Sequence, residues 1–275
     1  AEKSAHCIFE QVYFARPDSI VDGKSIYACR YDMGRKLALE CPVEADKVIG
    51  TPDSGLPSAE GYAFESGIPY GTGLIKNRYV ARTFIAPTQE LRAMIAQNDR
   101  EAETTLELRS MCVRLKLNPL KDVIECKRIV VVDDSIVRGT TMVQLVRMLR
   151  QAGAKEIHIR INCPEDVWPC FYGVDTGEQS QLISATKSVE EVCEFIGADT
   201  LAFLSVDALL ECVPKGGYCT ACFTGEYPVA IPESFGRDKL IEGYTPRNLS
   251  KLEPITGRCV VDKAEDRSWE EAHGE

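Results

Sequence analysis

The sequence predicts an α/β fold built on a mainly parallel β-sheet with helices on its faces. Strand-like and helix-like segments alternate over most of the 275 residues, which is the pattern of strands joined by helical crossovers. The strongest strand candidate, residues 128–135, runs almost directly into a helix-like segment at residues 139–153. Apolar residues make up 44% of the chain, which is enough to form a substantial core.

Each predicted element follows from apolar patterning and from the residues that end it. Apolar runs bounded by turn-forming residues predict strands at residues 7–16, 47–55 (running into a turn), 68–75, 128–135, 156–163 and 200–206. The spacing of apolar residues and the helix-ending glycines predict helices at residues 25–40, from the turn at 55 to about 66, at 139–153 and at 188–198.

Two stretches fall outside this alternation. Residues 88–117 are polar and helix-prone, and we interpret their central part, residues 92–108, as an inserted surface helix. The pattern ends near Pro228, and residues 262–275 contain six acidic and two basic residues. These features predict one folded domain over residues 1–230 and a partly disordered extension over residues 231–275.

The composition argues against several classes of protein. Acidic residues number 42 against 32 basic ones, so the net charge of −10 argues against a nucleic-acid-coating protein. No apolar run approaches the roughly 18–20 residues of a membrane span, and no export signal opens the sequence. We therefore expect a cytoplasmic protein without a nucleic-acid or membrane partner. In that compartment most of the 12 cysteines should be reduced.

A strand, an acidic pair, a polar loop and a helix follow one another at residues 130–141. The strand delivers Asp133 and Asp134 to the carboxyl edge of the sheet, where open α/β sheets bind ligands. The loop leads into a helix N-terminus, whose unpaired N–H groups and dipole favour a phosphate group. Gly139 permits close backbone approach. This order indicates a phosphate site with a ribose diol or Mg²⁺ at the aspartates, the alternative being a solvated acidic turn.

These features resemble the phosphoribosylpyrophosphate (PRPP) signature of type I phosphoribosyltransferases. More narrowly, seven ordered segments resemble the phosphoribosyltransferase half of the glutamine PRPP amidotransferase family, also called amidophosphoribosyltransferases. The resemblance runs from residue 6 to about residue 230. Its segments are residues 7–19, 52–63, 73–85, 130–141, 169–176, 196–206 and 219–228. It implies a type I phosphoribosyltransferase fold.

The resemblance implies a role for each motif of the site. Asp133 and Asp134 would contact the ribose hydroxyls and Mg²⁺, while Asp53 and Ser54 would form the pyrophosphate loop, with Ser54 near the metal. The 5′-phosphate would lie against Ser135, Ile136, Val137, Arg138, Gly139, Thr140 and Thr141. A flexible catalytic loop that closes over PRPP would carry Lys76, Asn77, Arg78, Tyr79 and Arg82. The alternative is that Lys76, Arg78 and Arg82 are ordinary surface cations without a role in binding.

Four cysteines are singled out by spacing and by the resemblance. Cys219 and Cys222 form a CxxC motif, which by itself fits zinc, an iron–sulfur cluster or redox chemistry. Part of the resembled family holds a [4Fe-4S] cluster through four cysteines, whose positions correspond to Cys7, Cys170, Cys219 and Cys222. The resemblance therefore implies a cluster at these residues, with four ordinary buried thiols or a structural zinc as alternatives.

The implied reaction is the displacement of pyrophosphate from C1 of PRPP by ammonia, which gives 5-phosphoribosylamine with inversion. It is the first committed step of de novo purine biosynthesis. No protein nucleophile is required, because positioning and electrostatic stabilisation of the leaving group can supply the catalysis. The family's N-terminal glutaminase domain is absent from this sequence, so we expect free ammonia as the substrate and a glutaminase domain or subunit as a partner. A homo-oligomer is also expected.

Two other functions stay open at this point. A non-catalytic PRPP-binding regulator could use the same fold, but it would be expected to carry a basic DNA-binding segment, which we do not find. A salvage phosphoribosyltransferase would need a hood that stacks a purine or pyrimidine base, and we identify none in the sequence.

Overall fold

The computed structural model describes residues 4–77, 117–231 and 240. Its strands are β1 (His6–Cys7), β2 (Ile20–Val21), β3 (Lys24–Ser25), β4 (Lys47–Gly50), β5 (Leu74–Lys76), β6 (Leu117–Pro119), β7 (Arg128–Asp133), β8 (Glu156–Ile161), β9 (Thr200–Phe203) and β10 (Tyr218–Cys219). Its α-helices are α1 (Ile26–Glu40), α2 (Leu56–Ser66), α3 (Lys121–Ile124), α4 (Thr140–Gln151), α5 (Ile183–Thr186), α6 (Val189–Ile196), α7 (Val206–Cys212) and α8 (Ala221–Thr224). A π-helical turn (Glu10–Phe14) and a 3₁₀ turn (Gln179–Gln181) complete the elements. The predicted surface helix at residues 92–108, and nearly all of the predicted C-terminal extension, lie outside the described residues.

Four parallel strands in the order β4-β7-β8-β9 form the central sheet. Strand β7 is fully buried from Ile129 to Val132, because helices cover both faces of a parallel sheet. This arrangement confirms the predicted α/β fold with a mainly parallel sheet. Since parallel strands end at the same edge, Asp133 at the end of β7 lies beside the chain that leaves β4 and β8.

Helix boundaries agree with the predicted ones where capping residues mark them. Ser25 precedes α1, and its hydroxyl accepts a hydrogen bond from the Ala28 N–H at 3.1 Å. Ser188 and Glu191 form a capping box at the start of α6, and Gly197 ends that helix in the left-handed conformation. The predicted helices at 25–40, 139–153 and 188–198 are confirmed. None of the helices in the described ranges has the length and apolar character needed to cross a membrane.

Residues 7–16 do not form the predicted strand. Only β1 is extended, pairing in parallel with β10, and the chain then enters the π-helical turn. Ile8, Phe9 and Val12 become buried in this conformation. The apolar residues are compatible with either structure, and tertiary contacts decide between them, because the buried guanidinium of Arg30 donates to three backbone carbonyls of this segment.

The predicted strand at residues 68–75 is extended mainly at its end. There β5 pairs with β6 in an antiparallel ribbon that is separate from the central sheet. The earlier part makes a single bridge, between Tyr70 and Val48. Gly73 lies so close to β4 that a Cβ atom built on it would be 2.6 Å from Cγ2 of Ile49. This position therefore has no room for a side chain.

Helices α1 and α2 pack backbone to backbone through two glycines. A Cβ atom on Gly34 of α1 would lie 1.9 Å from the carbonyl oxygen of Ser58, and one on Gly61 of α2 would lie 2.0 Å from that of Tyr31. No other residue fits at such distances without moving a helix. The close contact holds α2 in place, and with it the turn at residues 51–55 that precedes this helix.

His158 on β8 should make the stability of the protein sensitive to mild acid. Its ring is buried, with Nδ1 3.1 Å from the Thr200 hydroxyl, and burial followed by the charge of Arg160 lowers its pKa. As the pH falls below about 6.5, the unfolded chain takes up a proton that the folded state resists, so stability is lost. We expect the free energy of unfolding to fall by up to about 1.4 kcal/mol per pH unit from this group.

The measurement is urea unfolding of the parent and of His158→Gln at pH 7.0 and 5.5. The variant should lose less stability than the parent between these two values. An equal loss in both proteins would show that His158 is not the group responsible.

Candidate functional site

The acid pair at the end of β7 is almost completely buried. Asp133 is 9% exposed and Asp134 is 7% exposed. The Asp134 carboxylate accepts hydrogen bonds from the hydroxyls of Ser54 and Ser135, the latter at 2.7 Å. Ser54 precedes α2, whereas Ser135 follows β7, so two separate segments meet at this carboxylate.

Burial raises the pKa of Asp133 well above the usual range of a carboxyl group, and the adjacent Asp134 raises it further. Burial also raises the pKa of Asp134, against the hydrogen bonds of Ser54 and Ser135, which lower it. A cation or the hydroxyl groups of a ligand would stabilise the ionised forms of both side chains. The arrangement therefore suits a divalent cation or a sugar diol.

The loop after the acid pair leads into α4 in the geometry of an anion site. Gly139 precedes the helix with φ = +76°, and no side chain caps the first turn. A side chain at this position would also collide with Ile183, whose Cδ1 is 2.9 Å from the expected Cβ. The loop is held by a hydrogen bond from the Ile183 N–H to the Val137 carbonyl at 2.9 Å and by one from Arg138 to Gln181 at 2.7 Å. Its shape leaves the helix N-terminus available to a phosphate group.

The turn at residues 51–55 adds a second polar loop at the same edge. The Thr51 N–H donates to the Val132 carbonyl at 2.9 Å, which joins this turn to β7. The Pro52–Asp53 peptide bond is cis. Lys76 at the end of β5 forms an ion pair with Asp53, with 2.5 Å between Nζ and Oδ2. The structure thus brings Asp53, Ser54 and Lys76 to the acid pair's edge of the sheet.

The remaining residues of the predicted closing loop are described only in part. Asn77 follows β5 directly, whereas Arg78, Tyr79 and Arg82 lie outside the described residues. In the described ranges, no three His, Cys, Asp or Glu side chains are grouped so that they could hold a metal ion.

The four singled-out cysteines line one cavity of about 380 Å³. Cys7 and Cys219 are register partners in the β1–β10 pair, and Cys222 follows in α8. Cys170 comes from the loop after β8. The rest of the lining is mainly apolar and aromatic, with Phe9, Phe14, Val174 and Tyr227 among its side chains. The structure therefore gathers thiols from three distant segments around one largely apolar space.

The surroundings of two of the cavity thiols, Cys7 and Cys222, favour their neutral form. Burial raises the pKa of Cys7 and of Cys222, and the neighbouring thiols of the cavity raise both further. Backbone N–H groups of Phe9 and Glu10 oppose this at Cys7 by hydrogen bonding to its sulfur. Binding of a metal cluster here would release protons, because the ligands of such a cluster are thiolates.

Two buried ionisable residues that interact electrostatically with Asp134 are not predicted from the sequence. Asp166, in the loop after β8, is 1% exposed, and neither carboxylate oxygen has a hydrogen-bond partner in the described part of the chain. Arg30 on α1 is also 1% exposed. Neither residue belongs to a recognisable motif. From the sequence both would be expected to face solvent, as single charged residues in a helix or a loop usually do. Only the tertiary structure shows them to be buried.

No protein-family model matches the sequence. Curated relatives do match it. The amidophosphoribosyltransferase of Synechococcus elongatus is 53% identical over 237 residues, which is 86% of this chain and 45% of that protein. The enzyme of the same name from Methanothermobacter thermautotrophicus is 50% identical over 232 residues, which is 84% of this chain and 45% of that protein. The chain thus spans about half the length of the curated relatives it matches.

Solved structures resemble the fold as well. The glutamine PRPP amidotransferase from B. subtilis, complexed with ADP and GMP, matches with a TM-score of 0.71 and 47% identity, covering 85% of this chain and 49% of that one. A structure described as the allosteric regulatory enzyme of purine biosynthesis matches with a TM-score of 0.71 and 47% identity, covering 84% of this chain and 47% of that one. Sequence and structure comparisons therefore point to the same group of proteins.

Proposed function

We propose that this chain, which belongs to the amidophosphoribosyltransferase family and has the type I phosphoribosyltransferase fold, converts PRPP and ammonia into 5-phosphoribosylamine and pyrophosphate. One observation carries the proposal. A buried acid pair, an uncapped helix N-terminus and the Asp53–Lys76 pair lie at one edge of the parallel sheet. Together they suit the ribose, the 5′-phosphate and the pyrophosphate of one PRPP molecule.

Each part of the substrate would meet a matching group. The hydroxyls of the ribose would donate to Asp133 and Asp134, while the 5′-phosphate would accept from the N–H groups at the start of α4. Lys76 would leave Asp53 and pair with the pyrophosphate, whose negative charge is greater than that of one carboxylate. Asn77, Arg78, Tyr79 and Arg82 would complete the cover over PRPP, which excludes water and strengthens these interactions.

The chemical step needs no covalent bond to the protein. The lone pair of ammonia forms the new bond to C1 as the C1–O bond breaks, and pyrophosphate leaves with that electron pair. The attacking nitrogen then releases one proton to solvent. Asp133, Asp134 and Ser54 are the residues that would hold Mg²⁺, which when bound neutralises part of the charge of the leaving pyrophosphate. The protein contributes position and electrostatic stabilisation.

We also propose that Cys7, Cys170, Cys219 and Cys222 hold a [4Fe-4S] cluster. The proposal is supported by the cavity, whose lining includes all four cysteines, because cysteine thiolates are the usual ligands of such a cluster. When bound, the cluster supplies a cross-link among three segments, so that its binding energy becomes folding energy. The backbone N–H groups that reach the Cys7 sulfur would stabilise its thiolate form.

The source of ammonia is a further part of the proposal. We propose residues 1–230 as a phosphoribosyltransferase domain, residues 231–275 as an extension, and a glutaminase domain or subunit as the natural partner. In the absence of that partner, the chain would use free ammonia. The homo-oligomer expected from the sequence stays a prediction.

The decisive experiment measures pyrophosphate release from Mg²⁺–PRPP with ammonium, glutamine or hypoxanthine as the acceptor. Release should occur with ammonium and increase at alkaline pH, where more of it is NH₃, and glutamine should support neither release nor glutamate production. Release with hypoxanthine instead would identify a salvage enzyme. Tight PRPP binding without release for any acceptor would identify a regulator, and glutamate production would mean that the ammonia source is wrong.

A further inference from the structure

The chain that follows α8 turns back over the cavity of the four cysteines. Gly225 ends α8 with φ = +77°, and a Cβ atom built on it would lie 2.6 Å from Cε2 of Trp168. Glycine is the residue that combines this backbone conformation with so close an approach. Residues 226–229, which we call the strap, come next, and all but the first of them line the cavity. The strap therefore forms part of the cavity wall.

Tyr227 anchors the inner part of the strap. Its hydroxyl donates a hydrogen bond to the Pro169 carbonyl at 2.6 Å, directly before the cavity cysteine Cys170. Its ring packs edge-on against the rings of Phe171 and Tyr172, with centroid distances of 5.2 and 6.1 Å. Such aromatic pairs are stabilising beyond the area that they bury. These contacts join the strap to the loop that carries Cys170.

The outer end of the strap is held by the side chain of Tyr172. The Tyr172 hydroxyl donates to the Val229 carbonyl at 2.7 Å and accepts from the Val229 N–H at 3.2 Å. The backbone N–H of Tyr172 points to the sulfur of Cys170, 3.4 Å away. One residue thus contacts both a cavity thiol and the end of the strap.

The two ends of the strap differ in exposure to solvent. Tyr172 and Val229 are 48% and 65% exposed, whereas Tyr227 is half-buried. Hydrogen bonds at the surface open more readily than buried ones, because water can replace each partner. The pair of bonds between Tyr172 and Val229 is therefore the part of the cavity wall that opens first, while Tyr227 keeps the inner part in place.

We propose that the strap is a gate between solvent and the four cavity cysteines, and that the Tyr172 hydroxyl is its latch. With the latch closed, the strap covers the thiols and any metal that they hold. With the latch open, small reactants such as chelators and alkylating agents reach them. The gate needs only the thiols, and its effect on iron retention rests on the proposed cluster.

The test measures how fast the anaerobically purified full chain loses iron to the chelator bathophenanthroline disulfonate. Tyr172→Phe keeps the ring and removes both latch bonds, so iron loss should be about three- to tenfold faster than in the parent, the factor that corresponds to one ordinary hydrogen bond. Thermal unfolding should change little, because the bonds lie at the surface. The control is Tyr13→Phe, at a 54% exposed tyrosine that does not line the cavity, and it should lose iron at the parent's rate.

Three results would overturn the gate. They are parent-like iron loss by Tyr172→Phe, an equally fast loss by Tyr13→Phe, or a fall in the unfolding temperature of Tyr172→Phe large enough to explain its faster loss. A parent without iron would overturn the proposed cluster, and the same three proteins would then be compared by the rate at which iodoacetamide alkylates the four cavity cysteines, read by mass spectrometry. Faster alkylation in Tyr172→Phe alone supports the gate, and equal rates overturn it.

Discussion

Replacing Cys222 by serine should leave the purified protein with little iron and a strong tendency to aggregate. The cavity thiols come from residues near positions 7, 170 and 220, so a cluster at this place would cross-link segments that are far apart in the chain. Without it, β1 and β10 would be joined by a pairing of two residues from each strand and by the ring contact of His6 with Tyr218. The loss should therefore extend to folding. The measurements are iron and sulfide analysis, thermal unfolding and light scattering, all on anaerobically purified protein.

The parent prepared in the same way should be brown, with about four iron and four sulfide ions per chain. The control is Cys193→Ser, which changes a fully buried thiol on α6 that does not line the cavity. This control should lose some stability yet keep its iron. A colourless and fully active parent with tightly bound zinc would contradict the cluster, while leaving the proposed reaction unaffected.

Replacing either aspartate of the acid pair by asparagine should lower ammonia-dependent turnover by about 10²-fold or more without unfolding the protein. The reason is the loss of a charge that the substrate and its metal need, an effect typically worth a few kcal/mol in the transition state. The measurement is pyrophosphate release from Mg²⁺–PRPP with saturating ammonium. Asp122→Asn, a change at an exposed carboxylate on α3, is the control and should keep the parent's rate.

The same substitution at Asp133 should leave the ligand-free protein at least as stable as the parent. Burial raises the pKa of the Asp133 carboxyl in the folded state. The carboxyl therefore contributes to stability at low pH, and this contribution is lost as the pH rises through the pKa of the folded state. At higher pH the buried carboxyl carries a free-energy cost, because its ionisation is favoured in the unfolded chain. At neutral pH an uncharged amide removes that cost. Thermal unfolding at pH 7.5 measures it. Near-parent turnover in both aspartate variants, or a large loss of stability in Asp133→Asn, would contradict this account of the site.

Local sequence was sufficient to predict the central part of the fold, the acid pair and the loop that leads into α4. The continuous apolar run of β7, the two aspartates at its end and the glycine before α4 are neighbours in the chain, and each has one low-energy arrangement in an α/β sheet. The capping residues Ser25 and Ser188 act over three residues, which is why the starts of α1 and α6 were predictable.

Tertiary structure alone decided what depends on partners distant in the chain. The apolar residues of the segment at 7–16 suit a strand, but the hydrogen bonds donated by Arg30 favour the π-helical turn. Local propensity does not include these bonds, because Arg30 is distant in the chain. Spacing by itself singles out Cys219 and Cys222 as a CxxC motif, whereas Cys7 and Cys170 are singled out only through the resemblance. Nothing in the sequence indicates that Arg30 and Asp166 are buried. Whether such side chains meet is set by how helices and strands pack, because burial and charge act through space and leave no trace in residue spacing.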